Sequence, residues 1–149
     1  MLGYWNDPAK TAKAFRNGWF HSGDLGVFDS DGYLSVVDRK KDMIKTGGEN
    51  VASREVEEIL YQHPEVSEAA VVGIPHAHWI EAVTAIIVVR SGFHPTADDL
   101  IAHCKARLAG YKVPKFIAFA ADLPKNPSGK ILKRELRTTY THLADQPLT

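Results

Sequence analysis

Cysteine is scarce in this sequence, and long apolar runs are missing. Cys104 is the single cysteine among 149 residues, so an intrachain disulfide is excluded and a reducing, cytoplasmic compartment is expected. The longest apolar run covers residues 82–89, whereas a membrane-spanning helix needs about 20 apolar residues. The first six residues contain no basic segment followed by an apolar core, so we expect neither a signal peptide nor an integral membrane segment.

An excess of charge of one sign is also missing. The 18 Lys and Arg residues balance the 18 Asp and Glu residues, which gives a formal net charge of zero at pH 7. Because there is no long basic run either, we do not expect a nucleic-acid partner. Hydrophobic residues make up 44% of the chain and charged residues 24%, a balance typical of a folded domain with a buried core.

The first forty residues predict a helix followed by a hairpin. Asp7, followed by proline, should cap a helix that runs to about Phe15. Residues 25–28 and 33–37 have strand composition, and the Asp-Ser-Asp-Gly turn between them predicts a β-hairpin. The charged run at residues 38–42 has no apolar periodicity, so it is the best candidate for a domain boundary.

The rest of the chain mixes helical and strand patterns. The predicted helices are one capped by Ser53 and ended by Pro64, one between a Thr96–Asp99 capping box and Gly110, and one from about Lys133. Strand-like runs cover residues 69–74, 82–89 and 116–119. The predicted fold class is α+β, with a small three-stranded sheet flanked by helices and preceded by the first helix and hairpin.

A first candidate site is the segment of residues 18–24, Gly-Trp-Phe-His-Ser-Gly-Asp. The ordinary interpretation of its Gly-Asp pair is a turn. The functional interpretation is that Asp24 accepts hydrogen bonds from two ribose hydroxyls, a task that suits a charged acceptor.

A second candidate covers residues 38–50. Its ordinary interpretation is a solvated linker followed by a Gly-Gly turn. In the functional interpretation, Arg39 offers a planar fork to phosphate or ribose oxygens, and Lys41 lies where the chain can swivel. Gly47 and Gly48, which lack side chains, would let a ligand lie against the backbone.

A third candidate is Lys130, which follows the turn signal Pro-Ser-Gly. Such a lysine is most often simply exposed. The functional interpretation is a lysine on a mobile loop that stabilises charge developing as a carboxylate attacks a phosphate. The segment is not a P-loop, because the Gly-x4-Gly-Lys-Ser/Thr spacing is missing.

Other chemical groups favour ordinary interpretations. His76 and His78 have no further ligand cluster near them in the sequence, so we interpret them as surface residues and expect no metal site. Cys104 lies on the apolar face of its helix and is expected in the core. No Ser-His-Asp hydrolase signature is present.

The order and spacing of the three segments resemble the adenylate-forming superfamily, which contains acyl-CoA synthetases, peptide-synthetase adenylation domains and beetle luciferases. Residues 38–44 and 47–51 are most similar to fatty-acid and related acyl-CoA ligases, and the resemblance extends from Gly3 to about Tyr140. It implies a C-terminal remnant of the large domain at residues 1–38, a hinge at 39–42, a C-terminal lid domain at 43–141 and a tail at 142–149.

The resemblance implies a role for each candidate residue. Asp24 matches the ribose-binding aspartate, and Arg39 matches the nucleotide-contacting arginine. Lys41 matches the hinge position, and Lys130 matches the catalytic adenylation lysine. The loop that lines the pantetheine tunnel corresponds to Gly47, Gly48 and Glu49. The residues that hold the CoA nucleotide in some ligases correspond to Trp79, Tyr111, Lys112 and Lys115.

The implied reaction has two halves. A carboxylic acid and ATP, with Mg²⁺ on its phosphates, first give an acyl-adenylate and pyrophosphate. The lid domain then rotates about the hinge, which replaces Lys130 by the Gly47–Gly48 face, and the CoA thiol attacks the acyl-adenylate to release AMP. One domain would thus complete two catalytic arrangements in turn.

Two departures from the family pattern qualify this expectation. Ile80 follows Trp79 where the family commonly has glycine. The ATP phosphate loop, the adenine-binding and magnesium-binding segment and the acyl pocket are not among the 149 residues, so the acid substrate is not indicated. We therefore expect a C-terminal portion of a ligase that is inactive by itself.

Two alternatives remain open at the level of sequence. The chain could belong to an adenylation domain that loads a carrier protein instead of free CoA. It could also be a stand-alone binding module without chemistry of its own. The oligomeric state is not indicated.

Overall fold

The computed structural model describes residues 1–145 and divides the chain into two compact units. The first unit is Met1–Lys41, and the second begins at Asp42. The α+β class predicted from the sequence is confirmed. No helix among the described residues combines the length and the apolar composition that crossing a membrane requires.

The first unit consists of one short helix and two small antiparallel pairs of strands. Its elements are α1 (Pro8–Ala14), β1 (Phe15–Arg16), β2 (Trp19–Phe20), β3 (Asp24–Phe28) and β4 (Leu34–Arg39). The Asp7 carboxylate accepts a hydrogen bond from the Lys10 amide at 2.8 Å, which confirms the predicted cap. Strands β3 and β4 form the predicted hairpin, whereas the two-residue pair β1–β2 was not predicted.

The first unit has no hydrophobic core of its own. Asp38 is the one buried residue within Met1–Lys41. Large apolar side chains of this unit are exposed instead: Leu2, Trp5, Trp19, Phe20, Val27, Phe28, Tyr33, Leu34 and Val36. Exposed apolar surface of this extent is typical of a segment that packs against other protein.

The described part of the second unit, residues 42–145, contains a mixed sheet and three helices. Its strands are β5 (Ile44–Thr46), β6 (Glu49–Val51), β7 (Val66–His76), β8 (Ile80–Val89) and β9 (Phe116–Phe119). Its helices are α2 (Ser53–Tyr61), α3 (Ala97–Lys105) and α4 (Lys133–Tyr140), with 3-10 turns at Gly110–Lys112 and Thr141–Asp145. The predicted tail at residues 142–149 begins inside the last turn, and its residues 146–149 lie outside the described part of the chain.

The sheet is built on the long hairpin β7–β8. Strand β9 runs parallel to β8, so the three predicted strands form one sheet. The hairpin β5–β6 extends this sheet to five strands through a single pairing, Thr46 with Ile80. The sequence predicted the Gly-Gly turn of that hairpin but not its place in the sheet, because one long-range pairing leaves no local pattern.

Two apolar clusters pack on opposite faces of the sheet. One contains Val71 of β7 together with Val56 of α2 and Leu100 of α3. The other contains Val72 of β7 together with Leu136 of α4. Neighbouring strand residues point to opposite faces, so α2 and α3 cover one face and α4 covers the other.

Two predicted helix boundaries are wrong. Ser53 does not cap α2; Ala52 is the N-cap, and the Ser53 hydroxyl instead accepts a hydrogen bond from Lys133 Nζ at 2.6 Å. Helix α3 ends at Lys105 and not at Gly110, which begins a separate 3-10 turn. The capping box of α3 between Thr96 and Asp99 is confirmed.

Candidate functional site

Lys130 lies at the end of a tight loop that a single asparagine side chain organises. Asn126 Oδ1 accepts hydrogen bonds from the Ser128 amide at 3.1 Å, the Ser128 hydroxyl at 2.8 Å and the Lys130 amide at 2.8 Å. The Asn126 amide also donates to the Lys130 carbonyl at 2.9 Å. Gly129 has φ 79°, a left-handed conformation that glycine adopts without a steric penalty. The backbone of Lys130 is therefore fixed by local contacts.

The side chain of Lys130 projects from this ordered loop into solvent. The residue is exposed, and within residues 1–145 its ammonium group makes no hydrogen bond or ion pair. Lys125, before the loop, pairs with Glu68 at 2.8 Å, and this hydrogen bond is the main cause of the raised pKa of Lys125. The two lysines therefore differ in their contacts. Lys125 forms an ion pair within the fold, whereas the ammonium group of Lys130 is accessible to a ligand.

Asp24 and Arg39 lie opposite each other in the first unit. They are paired residues of the β3–β4 hairpin, and Arg39 Nε is 3.6 Å from Asp24 Oδ1. Both side chains are exposed, at 39% for Asp24 and 52% for Arg39. The hairpin thus presents a carboxylate acceptor and a guanidinium donor side by side, as the binding of a ribose and a neighbouring phosphate requires.

Lys41 lies at the division between the two units. The residue is exposed, and the second unit starts directly after it at Asp42. Asp42 is buried, and its Oδ1 accepts a hydrogen bond from Arg137 of α4 at 3.0 Å. The chain therefore passes from an exposed lysine to a firmly held aspartate within one residue.

Gly47 and Gly48 form the tight turn of the β5–β6 hairpin. Their φ angles are 57° and 88°, and such a pair of positive values is the reason why this turn type favours glycine. The Gly47 amide donates to the Trp79 carbonyl at 3.0 Å, and a side chain at Gly47 would begin 3.6 Å from the Trp79 ring. Glu49 follows, exposed, at the start of β6. The turn thus leaves an open strip of backbone beside an indole.

Ile80, which follows Trp79, has an unusual backbone conformation. Its φ is 71°, a left-handed value that is rare for a β-branched residue, and the residue is 67% exposed. The structure therefore supplies a physical reason why glycine suits this position, where the sequence departs from the family pattern.

A groove of about 270 Å³ lies next to Trp79. Lys115 Nζ is 5.3 Å from the centre of the Trp79 ring, within the range of a cation–π contact. The remaining lining residues are Ile101, Lys105, Gly110, Val113 and Pro114. An aromatic surface between two lysines suits an adenine carrying phosphate groups.

The structure separates the other two predicted CoA residues from this groove. Lys112 Nζ contacts both carboxylate oxygens of Glu55, at 2.6 and 2.8 Å, and this hydrogen bond is the main cause of the raised pKa of Lys112. Tyr111 is exposed beside Lys112, which lies 5.7 Å from its ring centre. Neither residue lines the groove.

The histidines near Trp79 pack against its ring, His76 tilted and His78 edge-on. The His76 and His78 rings lie 4.6 and 5.1 Å from the Trp79 ring. In the described part of the chain, no group of three or more His, Cys, Asp or Glu residues is placed to hold a metal ion. These residues therefore do not fit a Mg²⁺ site.

Three cationic residues of the second unit were not predicted from the sequence as part of the groove or of an ion pair. Lys105 joins the groove from the last turn of α3, where a lysine is ordinary and gives no signal. Lys133 and Arg137 of α4 form ion pairs with Glu57 and Asp42, at 2.7 and 3.0 Å. Their partners are far away in the sequence, so no spacing pattern reveals them.

The fold and the arrangement of these segments define the small C-terminal domain of adenylate-forming enzymes. Residues 55–130, half of the chain, match the family described as the AMP-binding enzyme C-terminal domain. The chain belongs to that family, and the resemblance to the adenylate-forming superfamily is confirmed.

Relatives and solved structures agree with this assignment. Feruloyl-CoA synthase of Amycolatopsis sp is 50% identical over 140 residues, which cover 94% of this chain and 28% of the synthase. ATP-bound MatB of Rhodopseudomonas palustris has a TM-score of 0.88 at 40% identity, over 95% of this chain and 28% of that chain. The amide bond synthetase McbA of Marinactinospora thermotolerans has a TM-score of 0.84 at 42% identity, over 93% of this chain and 29% of that chain. The chain thus spans less than a third of the length of each of these three proteins.

Proposed function

We propose that this chain works as the C-terminal portion of an ATP-dependent acyl-CoA synthetase. The reaction joins a carboxylic acid to ATP, which gives an acyl-adenylate and pyrophosphate, and then transfers the acyl group to CoA with release of AMP. One observation carries this proposal: Lys130 stands on an internally ordered loop with its ammonium group exposed.

Lys130 suits the first half-reaction. When a carboxylate attacks the α-phosphate of ATP, negative charge grows on the phosphate oxygens and on the departing pyrophosphate. A fixed ammonium group that contacts these oxygens lowers the barrier most effectively when its position is set in advance. Because Asn126 orders the backbone around Lys130, only the side chain remains to be placed.

Asp24 and Arg39 suit the nucleotide. In this proposal Asp24 accepts hydrogen bonds from the ribose hydroxyls, and Arg39 donates to ribose or phosphate oxygens. Their direct contact is weak, at 3.6 Å with both groups exposed, so a ligand can compete for it. Residues 1–38 would then be the end of the large domain, 39–42 the hinge at Lys41, and 43–141 the lid.

A second group of residues in the second unit suits the second half-reaction. The Gly47–Gly48 turn offers side-chain-free backbone to the pantetheine arm, with Glu49 at its edge. The groove between Trp79 and Lys115 would hold the CoA nucleotide, with Lys105 as an additional cation. Lys112 and Tyr111 would take part only if the Lys112–Glu55 pair opened. Because the described residues do not fit a Mg²⁺ site, we assign no step of the reaction to a metal on this chain.

The test is a hybrid ligase in which this chain replaces the matching segment of the Amycolatopsis feruloyl-CoA synthase. ATP–pyrophosphate exchange measures the first half-reaction, and transfer from supplied feruloyl-adenylate to CoA measures the second. We expect Lys130→Ala to slow exchange by about 100-fold or more, because it removes a transition-state contact, and to leave transfer nearly unchanged.

The matched control is Lys13→Ala, which removes an exposed lysine of α1. It should change neither half-reaction. Acyl-adenylate formation that is undiminished in Lys130→Ala would overturn the proposal. A carrier-protein substrate, the alternative acceptor, is distinguished by replacing Trp79 and Lys115: a raised KM for free CoA supports the CoA ligase.

A further inference from the structure

Helix α4 begins three residues after Lys130 and carries two cations on one face. Lys133 and Arg137 are four residues apart, so they lie one above the other on the helix surface. Leu136 of the same helix is buried in one apolar cluster of the second unit. Helix α4 is therefore held by its apolar side and by a separate row of charges.

Lys133 ties the start of α4 to the opposite side of the sheet. Its Nζ contacts Glu57 at 2.7 Å and the Ser53 hydroxyl at 2.6 Å, both on α2. Glu57 in turn accepts a hydrogen bond from the Val71 amide of β7 at 2.7 Å. Both charged side chains are largely buried, at 17% and 15% exposure, so this network is a defined contact and not a mobile surface pair.

Arg137 ties the next turn of α4 to Asp42. The Arg137–Asp42 distance is 3.0 Å, and the Asp42 side chain is 12% exposed. The two residues are 95 positions apart in the sequence, so the contact joins distant parts of the second unit. Asp42 is also the first residue after Lys41, where the division between the two units falls.

We propose that Asp42 and Arg137 are positioning residues that hold the Lys130 loop in a fixed place relative to the linker at Lys41. The inference rests on the proposed function. Helix α4 then acts as a strut, with Arg137 at the linker end and Lys133 next to the loop. Rotation about the linker would carry Lys130 with it as one body.

Such a strut matters for the first half-reaction more than for the second. A charge that stabilises a transition state must be placed precisely, and an error of about 1 Å can cost about 100-fold in rate. The groups proposed for the second half-reaction, the Gly47 turn and the groove at Trp79 and Lys115, lie on the strand turns and beside α3. They do not belong to α4, so loosening the strut should spare them.

The test uses the hybrid ligase and the variants Arg137→Met and Asp42→Asn. We expect each variant to lower kcat of ATP–pyrophosphate exchange by about tenfold, with the KM for ATP and the acyl transfer to CoA within about twofold of the parent. The double variant should be no slower than the slower single variant, because the two residues act through one contact. Arg137→Lys should recover part of the rate, since it restores a cation.

Arg54→Met is the matched control, because it removes an arginine from an exposed pair with Glu58 on α2. It should leave both half-reactions unchanged. Equal losses in both half-reactions with Arg137→Met would mean a general effect on folding, and no loss in either would mean that the strut has no role. Each result would overturn the inference. If Lys130→Ala abolishes exchange while Arg137→Met does not slow it, this inference fails and the proposed function stands.

A second measurement on the full chain does not depend on activity. The Leu136 amide lies inside α4 and donates a hydrogen bond to the Leu132 carbonyl, and its exchange with water can be followed by NMR. Arg137→Met should speed this exchange several-fold relative to amides of the β7–β8 hairpin, whereas Arg54→Met should not. Unchanged exchange at Leu136 in Arg137→Met would also overturn the inference.

Discussion

The left-handed backbone at Ile80 predicts which of two substitutions gives the more stable protein, and the order depends on backbone conformation alone. The perturbation is a pair of substitutions, Ile80→Gly and Ile80→Ala. Both shorten the side chain of a residue that is 67% exposed, so they lose similar packing energy. They differ in the Cβ atom, which at φ 71° lies too close to the following carbonyl.

The magnitude follows from two opposing terms. A residue with a Cβ atom loses roughly 1–2 kcal/mol in the left-handed region, whereas glycine does not. Glycine loses roughly 0.5–1 kcal/mol more conformational entropy than alanine on folding. We therefore expect Ile80→Gly to be more stable than Ile80→Ala by about 0.5–1 kcal/mol, the reverse of the usual order.

Urea unfolding of the full chain measures this difference, with circular dichroism as the signal. Thr139, exposed on α4, is the matched position with ordinary helical geometry. There the alanine variant should be the more stable by about 1 kcal/mol. The reasoning is wrong if alanine also exceeds glycine in stability at Ile80, because the left-handed strain would then be absent.

Two further predictions concern the α3 region. Thr96→Ala should lower the free energy of unfolding by about 1 kcal/mol, because the Thr96 hydroxyl accepts a hydrogen bond from the Asp99 amide at 3.2 Å. Thr96→Ser, which keeps a hydroxyl, should retain most of the stability of the parent in the same urea experiment. His103 has a pKa below its ordinary value, mainly because burial disfavours its charged form. The unfolded chain therefore binds the proton more readily, so stability is complete above about pH 6.5 and falls as the pH drops below it. His103→Gln should flatten this slope in unfolding curves between pH 7.5 and 5.5, and an unchanged slope would contradict the assignment.

The sequence predicted correctly those helix caps and strands that depend on residues close together in the chain. The caps at Asp7 and Thr96 and the strand runs of β7 and β8 are confirmed, because each depends on residues within a few positions. Ser53 shows the limit of such reasoning. Serine is a residue type that often caps helices, but the Ser53 hydroxyl accepts a hydrogen bond from Lys133, which is 80 positions away in the sequence.

The candidate site likewise combines local structures, which the sequence predicted, with long-range contacts, which it did not. The Gly47–Gly48 turn and the Lys130 loop are local structures, and the sequence predicted both as turns. The groove was only partly foreseen, because it depends on which lysines the fold brings to Trp79. Lys115 reaches that ring, whereas Lys112 is held by Glu55, which is 57 positions away.

The loop that Asn126 organises has an entropic consequence for the proposed adenylation step. Three donors, the Ser128 amide, the Ser128 hydroxyl and the Lys130 amide, converge on one amide oxygen, so the order of the loop comes from its own residues. Under the proposed function, the disorder of this segment is thus lost during folding and not during the encounter with ATP. Apart from the rotation of the lid domain, the proposed adenylation step then has to order only the torsions of one lysine side chain, which loses less entropy than ordering a flexible loop would.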